Sequence, residues 1–235
     1  MKRLPAVSLL IVAAAISFGQ FSTRVRSAAN MSLLETGSGF LIFPSVQKEL
    51  GMDPKVAKKI TMDYQQGIQK MVASMGATRD KDSKTRQAES MKLMEDVRKI
   101  QVQALGKLNA KQKERLKQIA VQQMGAGGLL HPEVKKSLNL TADQERKIGA
   151  IVRDGSMQMM SGMQPPKQGA TPQELQKRMQ DMNKKRAEWQ VKMNVLSIKE
   201  LKPDQQAKWK ALQGKPFKLD MMEAMKQMMS TGRGG

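Results

Sequence analysis

Apolar side chains recur every three or four residues along most of this chain, which is the spacing of amphipathic helices. The first long stripe consists of Val56, Ile60, Tyr64, Ile68, Met71 and Met75. A second, less regular stripe consists of Met91, Met94, Val97, Val102 and Leu105. The third has a heptad-like spacing that Arg186 interrupts, and it consists of Leu175, Met179, Met182, Trp189, Met193 and Leu196. Runs of this length predict long helices that pack against one another along the stripes.

Helix-start signals accompany these stripes. In the segment Thr141–Gln144, the Thr hydroxyl can accept from the backbone of the third helical residue while the Gln side chain reaches back to the cap. The same spacing recurs, complete or in part, at Asn109 and Gln112, at Thr171 and Glu174, at Asp53 and Val56, and at Lys202 and Gln205. Pro follows the first residue of three of these segments, where its missing N–H is tolerated. We predict that a helix begins at each of the five.

Four of the starts also share an apolar flank. One apolar residue precedes the cap, and another follows eight positions later: Met52 and Ile60, Leu108 and Leu116, Leu140 and Ile148, Leu201 and Trp209. Eight residues is slightly more than two helical turns, so both members of a pair lie on one face. One such pair of apolar residues could occur at any well-formed helix start. Four instances in register with a repeat favour a shared device that sets each helix against a partner.

The repeat itself lies in two related halves of the chain. Residues 43–60 return as 131–148, with Pro, Val, Lys, Leu, Lys and Ile in matching positions, and residues 108–112 return as 201–205. Self-similarity over such a period indicates stacked supersecondary units. We therefore predict an all-α fold of elongated antiparallel α-hairpins in two tandem, pseudo-repeated units. Each unit would have a long helix, a polar turn, a return helix and a shorter third helix, giving six or seven helices in all.

Breaks in the pattern predict the boundaries of the units. The first unit is predicted over 30–128, ending in a glycine-rich segment, and the second over 129–217, ending near Gly214 and Pro216. The remaining segment, 218–235, is a Met-rich tail whose stretch Lys218–Ser230 has the pattern of a short amphipathic helix.

The amino-terminal segment has the pattern of an export signal. Lys2 and Arg3 precede the apolar run Val7–Phe18, which is shorter than the roughly 20 residues that cross a bilayer. Small residues before Ala29 predict cleavage there, which makes 1–29 the signal peptide, with Gly19 as the alternative site. An uncleaved anchor is a further alternative. After cleavage we expect a periplasmic or otherwise exported protein that does not span the membrane.

Composition narrows the choice of fold and of partner. Aromatic residues make up only 3% of the chain and Cys is absent, so neither aromatic strands nor disulfides would hold the fold, and helix packing must do so. The formal net charge of +20 favours anionic partners, such as acidic unfolded chains, lipid headgroups or envelope polymers. Export and the scarcity of aromatic stacking platforms argue against nucleic acid.

Methionine clusters are the most specific chemical feature of the chain. One group consists of Met157, Met159, Met160 and Met163, and another of Met221, Met222, Met225, Met228 and Met229. Thioethers bind soft cations such as Cu(I), so these clusters are candidate metal sites. The same side chains fill gaps between helices, and their flexibility also suits contact with many apolar surfaces. The sequence leaves the three interpretations open.

Basic residues such as Lys184, Lys185 and Arg186 are a second candidate binding feature. Such a run is either an ordinary solvated helix face or part of a positive surface that attracts acidic, partly unfolded chains. The one histidine, His131, aligns with Phe43 in the repeat and is expected to pack at a helix start. Since the chain has no Cys, no phosphate-binding loop and no nucleophile motif, we expect neither a cofactor nor enzyme activity.

The Leu-Thr-x-x-Gln motif at Leu140–Gln144, with partial copies that begin at Leu108, Leu201 and Met52, resembles the exported Spy/CpxP family. That family includes ATP-independent periplasmic chaperones and related heavy-metal-sensor-like envelope proteins. The resemblance implies a curved, all-helical cradle, usually dimeric, whose basic concave face holds unfolded proteins, and a motif that stabilises helix ends. With two units in tandem, this chain would build within one polypeptide what the family builds from two.

We therefore expect an exported, ATP-independent, holdase-like chaperone or envelope-stress protein that binds unfolded or partly folded proteins, its clients, on a basic, Met-bearing helical surface. One alternative is a soft-metal (Cu or Ag) binding or sensing protein. Another is a structural envelope protein that binds anionic polymers. The chain would be either a monomer with internal pseudo-symmetry or a homodimer.

Overall fold

A computed structural model of the protein describes residues 31–77, 82–161 and 171–220. All regular structure in these ranges is helical, which confirms the predicted all-α fold class. The α-helices are α1 (Leu33–Ser38), α2 (Pro44–Glu49), α3 (Pro54–Ala77), α4 (Ser83–Gly106), α5 (Ala110–Met124), α6 (Pro132–Leu138), α7 (Ala142–Ser161), α8 (Pro172–Lys199) and α9 (Pro203–Gln213). Two 3₁₀-helices in these ranges, Gly39–Ile42 and Gly125–Leu130, follow α1 and α5. The predicted signal peptide and the tail from residue 221 lie outside the described residues.

Five helices begin where the sequence predicts a start. Helices α3, α5, α7, α8 and α9 begin directly after Asp53, Asn109, Thr141, Thr171 and Lys202. Helices α1, α2 and α6 are too short to form a periodic stripe, and they raise the number in the described residues above the six or seven predicted. Helix α1 still has a capping box, since Ser32 N–H donates to Glu35 Oε2 (2.8 Å) and Glu35 N–H donates to Ser32 Oγ (3.1 Å).

The described chain divides into two compact units. The α1–α5 unit comprises Ser32–Gln123 together with the segment that starts at Leu212. The α6–α9 unit comprises Met124–Ala211 together with Met31. The carboxy-terminal segment thus returns to the unit made from the first half of the chain. The tandem repeat stays a prediction.

The α1–α5 unit has a well-defined apolar core. Its buried members are Leu41, Phe43, Val46, Leu50, Ile60, Tyr64, Ala104, Leu105, Leu108, Leu116 and Ile119. Tyr64 is the one member of this cluster with a polar tip, and its hydroxyl donates to the Ser38 carbonyl oxygen at 2.8 Å. Gln47 links α2 to its surroundings by donating to the Leu41 carbonyl oxygen (2.7 Å) and to Thr61 Oγ1 (2.9 Å). The chain before α2 is therefore fastened to α3 by both apolar and polar contacts.

In the α6–α9 unit, α7 and α8 form an antiparallel hairpin. Near its base, Lys147 Nζ lies 3.7 Å from Glu200 Oε2, and farther along, Gly155 lies against Met193. The order of these two contacts fixes the antiparallel direction. Buried apolar side chains of this unit are Ala126, Leu129, Val134, Leu138, Ile148, Met193, Leu201 and Trp209. Asn194 Oδ1 accepts from Ala126 N–H (2.6 Å) and so holds α8 to the 3₁₀-helix before α6.

The predicted stripe on α4 is partly wrong. Met91 and Val102 were placed on it, but they are exposed, whereas Ala104 is buried and Ile100 is half-buried. The physical reason lies on α3, where a Cβ at Gly67 would come within 2.7 Å of Ile100 Cδ1. Because Gly67 has no side chain, Ile100 can pack against it. Helix α4 therefore turns the face with residues 100 and 104 towards α3.

The predicted stripe on α8 is also displaced at its end. Leu196 was expected on the packed face, but it is exposed, while its neighbour Ser197 is fully buried. A Cβ at Gly155 would overlap the Met193 side chain, so this close approach sets the rotation of α8. Residue 197 follows Met193 by four positions and shares its face, which excludes Leu196. The side chains of Met71, Met75, Met94, Leu175 and Met179, also on predicted stripes, lie outside the described part.

Candidate functional site

Glutamine side chains tie the starts of α5 and α9 to earlier parts of the chain. Gln112 and Asn109 form a reciprocal capping box (2.9 and 3.0 Å), and Gln112 Nε2 also donates to the Leu50 carbonyl oxygen at 3.0 Å. Gln205 Oε1 accepts from Lys202 N–H (2.9 Å), and its Nε2 donates to the Leu138 carbonyl oxygen at 3.1 Å. Leu50 and Leu138 are matching positions of the sequence repeat. Each glutamine therefore closes one helix start and satisfies a carbonyl near the end of α2 or α6.

At the start of α7, a further glutamine, Gln144, contacts Gln205. Gln144 forms a capping box with Thr141 (3.1 and 3.2 Å), and its Nε2 donates to both the Glu200 carbonyl oxygen and Gln205 Oε1 at 2.7 Å. Gln205 Nε2 donates back to Gln144 Oε1 at 3.1 Å. Both glutamines are buried, where an unpaired amide would be costly. In the α1–α5 unit the corresponding residue is Val56, and Asp53 alone caps α3 by accepting from the N–H of Lys55 and Val56 (2.8 and 3.2 Å).

The apolar flanks of these caps lie mostly inside the two units. Ile60, Leu108, Leu116, Ile148, Leu201 and Trp209 are buried, and Met52 and Leu140 are half-buried. The cap and flank residues thus position helices, and they bring no titratable or nucleophilic pair together.

The predicted contact residues are only partly described. Met157 lies on α7 and is 64% exposed. The side chains of Met159 and Met160 and the whole of Met163 lie outside the described part, so the predicted Met cluster stays a prediction. Within the described residues, no three His, Asp or Glu side chains come together in a way that could hold a metal ion.

Lys184 and Lys185 lie on a broad solvent-facing side of α8. At about 100° per residue, this side covers about 140° of the helix circumference. All its members are exposed, and they are Lys184, Lys185, Glu188, Val191, Lys192, Val195, Leu196 and Lys199. We call these eight residues the α8 outer face. Arg186 is not among them, because it is half-buried and precedes Met193 by one heptad on the packed side.

The α8 outer face combines unusually exposed aliphatic side chains with positive charge. Val191, Val195 and Leu196 are 62, 48 and 38% exposed. Four lysines and one glutamate surround them, and no ion pair to a described residue neutralises any of the four lysines. Lys192 Nζ lies 4.5 Å from the centroid of the Trp189 ring, a cation–π contact that leaves its charge in place. The predicted site did not include Val191 and Val195. The signal in the sequence was that two valines four residues apart lie on one helix face, outside the predicted apolar stripe.

Helix α4 has a similar outer side, but two of its basic residues, Arg98 and Lys99, are in ion pairs. Met91 and Val102 on this helix are 65 and 53% exposed. On this helix Arg98 lies 3.4 Å from Glu35, and Lys99 lies 3.1 Å from Glu95 and 3.8 Å from Asp96. The hydrogen bond that Lys99 donates to Glu95 raises the pKa of Lys99. Of the two helices, α8 therefore presents more uncompensated positive charge beside its apolar side chains.

His131 has a structural place at the start of α6. Its Nδ1 accepts from Glu133 N–H (3.3 Å), and its Nε2 lies 3.0 Å from the Met31 carbonyl oxygen, so the neutral ring with a proton on Nε2 suits both contacts. Burial lowers the pKa of His131 and keeps the ring neutral. Among the described residues, none forms a catalytic pair with this ring.

Comparisons of the chain with protein-family models, with curated proteins and with solved structures found no match. The resemblance to the Spy/CpxP family therefore depends on the Leu140–Gln144 motif and its partial copies alone. A separate search of the described helices found none that is both long and apolar enough to cross a membrane.

Proposed function

We propose that this protein is an exported, ATP-independent, holdase-like chaperone that binds acidic, partly unfolded clients on the α8 outer face. The observation that carries the proposal is the juxtaposition of three exposed aliphatic side chains with four lysines, none in an ion pair with a described residue, on one helix face. An unfolded chain offers both apolar side chains and flexible backbone, so it can adapt to such a face without a shaped pocket.

Charge and apolar contact would act at different ranges. The lysines attract an acidic chain over roughly a Debye length, about 10 Å at 0.1 M salt, and raise the rate of encounter. Val191, Val195 and Leu196 then supply short-range contact. Partial burial of three such side chains contributes roughly 2 kcal/mol, or about 30-fold in affinity. Binding would be fast, weak and salt-sensitive, which suits a chaperone that releases its client without nucleotide.

The test is suppression of aggregation of a disulfide-reduced acidic protein such as α-lactalbumin, followed by light scattering at near-stoichiometric amounts of chaperone. Val191→Gln, Val195→Gln and Leu196→Gln together are expected to weaken suppression about 30-fold. The control is Met91→Gln with Val102→Gln, which makes the same kind of change at two exposed apolar side chains of α4. Equal loss in the two variants would refute a specific role for α8, and no suppression by the unaltered chain would refute the function.

The charge contribution has its own comparison. One variant changes the four lysines of the α8 outer face to Gln: Lys184, Lys185, Lys192 and Lys199. The other variant changes four exposed lysines of the α1–α5 unit to Gln: Lys55, Lys58, Lys107 and Lys111. Both variants lose the same net charge. We expect the first alone to slow client binding and to flatten its salt dependence. Equal effects would mean that net charge matters and the α8 outer face does not.

A further inference from the structure

The carboxy-terminal segment of the α1–α5 unit packs as an extended peptide. After α9 the chain turns at Gly214, whose φ of +63° favours glycine and whose missing side chain leaves room for Gln118. From Lys215 to Asp220 the backbone is not helical. Phe217 and Leu219 are half-buried, while residues 218 and 220 are exposed. This alternation is that of an extended chain with one side against the protein. We call residues 214–220 the strap.

Polar side chains of α5 hold the strap by its backbone. Gln122 Nε2 donates to the carbonyl oxygens of Gln213 and Lys215, the latter at 2.7 Å, and Gln122 Oε1 accepts from Phe217 N–H at 2.8 Å. One amide side chain thus uses both of its donors and its oxygen on three alternate residues of the segment. These bonds go to main-chain atoms and are independent of the side chains that the segment carries.

An arginine completes this clamp. Arg115 NH2 donates to the Lys215 carbonyl oxygen at 2.9 Å. Arg115 is itself held by Glu49 Oε1, 2.8 Å from its Nε, and by Gln118 Oε1, 2.9 Å from its NH1. Glu49 and Gln118, which are not part of the strap, thus hold the guanidinium in place, and such preorganisation reduces the entropy lost on binding a peptide. At the far end, Ser45 Oγ accepts from Asp220 N–H at 3.3 Å.

Two side chains of the strap provide the apolar part of the contact. Phe217 and Leu219 pack against the core cluster of the α1–α5 unit. They lie two residues apart, so an extended backbone directs both to the same side. The site therefore combines sequence-independent backbone recognition with places for an aromatic and an aliphatic side chain at alternate positions.

We infer that this site binds extended segments of unfolded proteins that carry an aromatic residue, any residue and then an aliphatic residue, and that the strap occupies it in the free chain. The strap itself shows the backbone conformation and side-chain pattern that the clamp accepts. The site lies in the α1–α5 unit and is independent of the α8 outer face. Client binding there would release the strap.

The experiment uses the full chain with Lys218→Cys, which places one label on an exposed strap residue because the chain has no other Cys. A synthetic peptide with the sequence of residues 214–220 is added while the fluorescence anisotropy of the label is followed. A tethered segment has an effective concentration of about 1 mM, so half-release is expected at millimolar peptide. Phe217→Ser in the same chain weakens the strap, and half-release should then need about tenfold less peptide.

The control peptide has Asp in place of both Phe and Leu. Release by both peptides alike would show that the aromatic and aliphatic side chains are not recognised and would overturn the inference, as would no release in either chain. If Phe217→Ser proves unfolded by circular dichroism, the comparison of the two peptides on the Lys218→Cys chain decides alone.

The partner class is tested by adding reduced, carboxymethylated α-lactalbumin as the unfolded protein. Release of the strap supports the inference, and the absence of release at concentrations at which this protein binds overturns it. Strap release should be unchanged when the four α8 lysines are replaced by Gln. Failure of the α8 face and failure of the strap site are therefore distinguishable.

Discussion

Ionisation of Tyr64 is expected to unfold the α1–α5 unit at high pH. Its hydroxyl is buried against the Ser38 carbonyl oxygen (2.8 Å), and burial raises its pKa from 10.0 to about 12. Because the folded state prefers the neutral phenol, the stabilisation is fully present below pH 10 and is lost as the pH rises through about 12. Two pKa units correspond to about 3 kcal/mol of unfolding free energy.

The chain has a single tyrosine, so tyrosinate absorbance in the near ultraviolet reports on Tyr64 alone. We expect an apparent pKa well above 10 in the folded protein and close to 10 in denaturant. Urea unfolding at a series of pH values measures the free energy, and Tyr64→Phe is the control. That variant lacks the bond to Ser38 and should be about 1–3 kcal/mol less stable at neutral pH. The difference between the two proteins should vanish toward pH 12, and ionisation near pH 10 in the folded chain would refute the reasoning.

Three further substitutions test the α6–α9 unit by urea unfolding. Gly155→Ala should lower the unfolding free energy by about 1–3 kcal/mol, because the Cβ of the alanine would overlap Met193. The control is Gly149→Ala, because the Cβ at residue 149 would lie in open space. Ser197→Ala should raise the free energy by roughly 1 kcal/mol, since Ser197 Oγ is buried without a hydrogen-bond partner among the described residues, and a loss would contradict this. Burial lowers the pKa of His131, so the folded protein gains stability above the ordinary pKa of 6.5 and loses it as the pH falls through the lowered value. His131→Phe should abolish this acid dependence of the unfolding free energy. Persistence of the dependence in the variant would contradict the assignment to His131.

Local signals predicted the helix starts but not the rotation of the helices. The capping pairs at Asn109 and Thr141 act within three residues, so the sequence contains the whole interaction. The face that α8 turns inward depends on Gly155, nearly forty residues away in the sequence, and a periodic stripe could not reveal that Ser197 rather than Leu196 would be buried. The exposed valines of the α8 outer face were missed for the same reason.

The strap lay furthest from what the sequence could predict. Gln122 and Phe217 are far apart in the chain, and a glutamine that binds three backbone groups leaves no pattern of its own. The predicted boundary at residue 217 treated Phe217 as the end of the second unit, whereas its contacts are with the α1–α5 unit. Long-range polar contacts of this kind become visible only in the folded chain.

The return of the strap also fixes an order of events during synthesis. Helices α1 to α5 leave the ribosome before Phe217 and Leu219, which cover part of their core. Until the strap has been made, the clamp formed by Gln122 and Arg115 lacks the backbone groups that it binds in the folded chain. A nascent or truncated form of this protein would therefore expose that core edge, so a chain that stops before Phe217 would be more prone to aggregate than one that stops after Asp220.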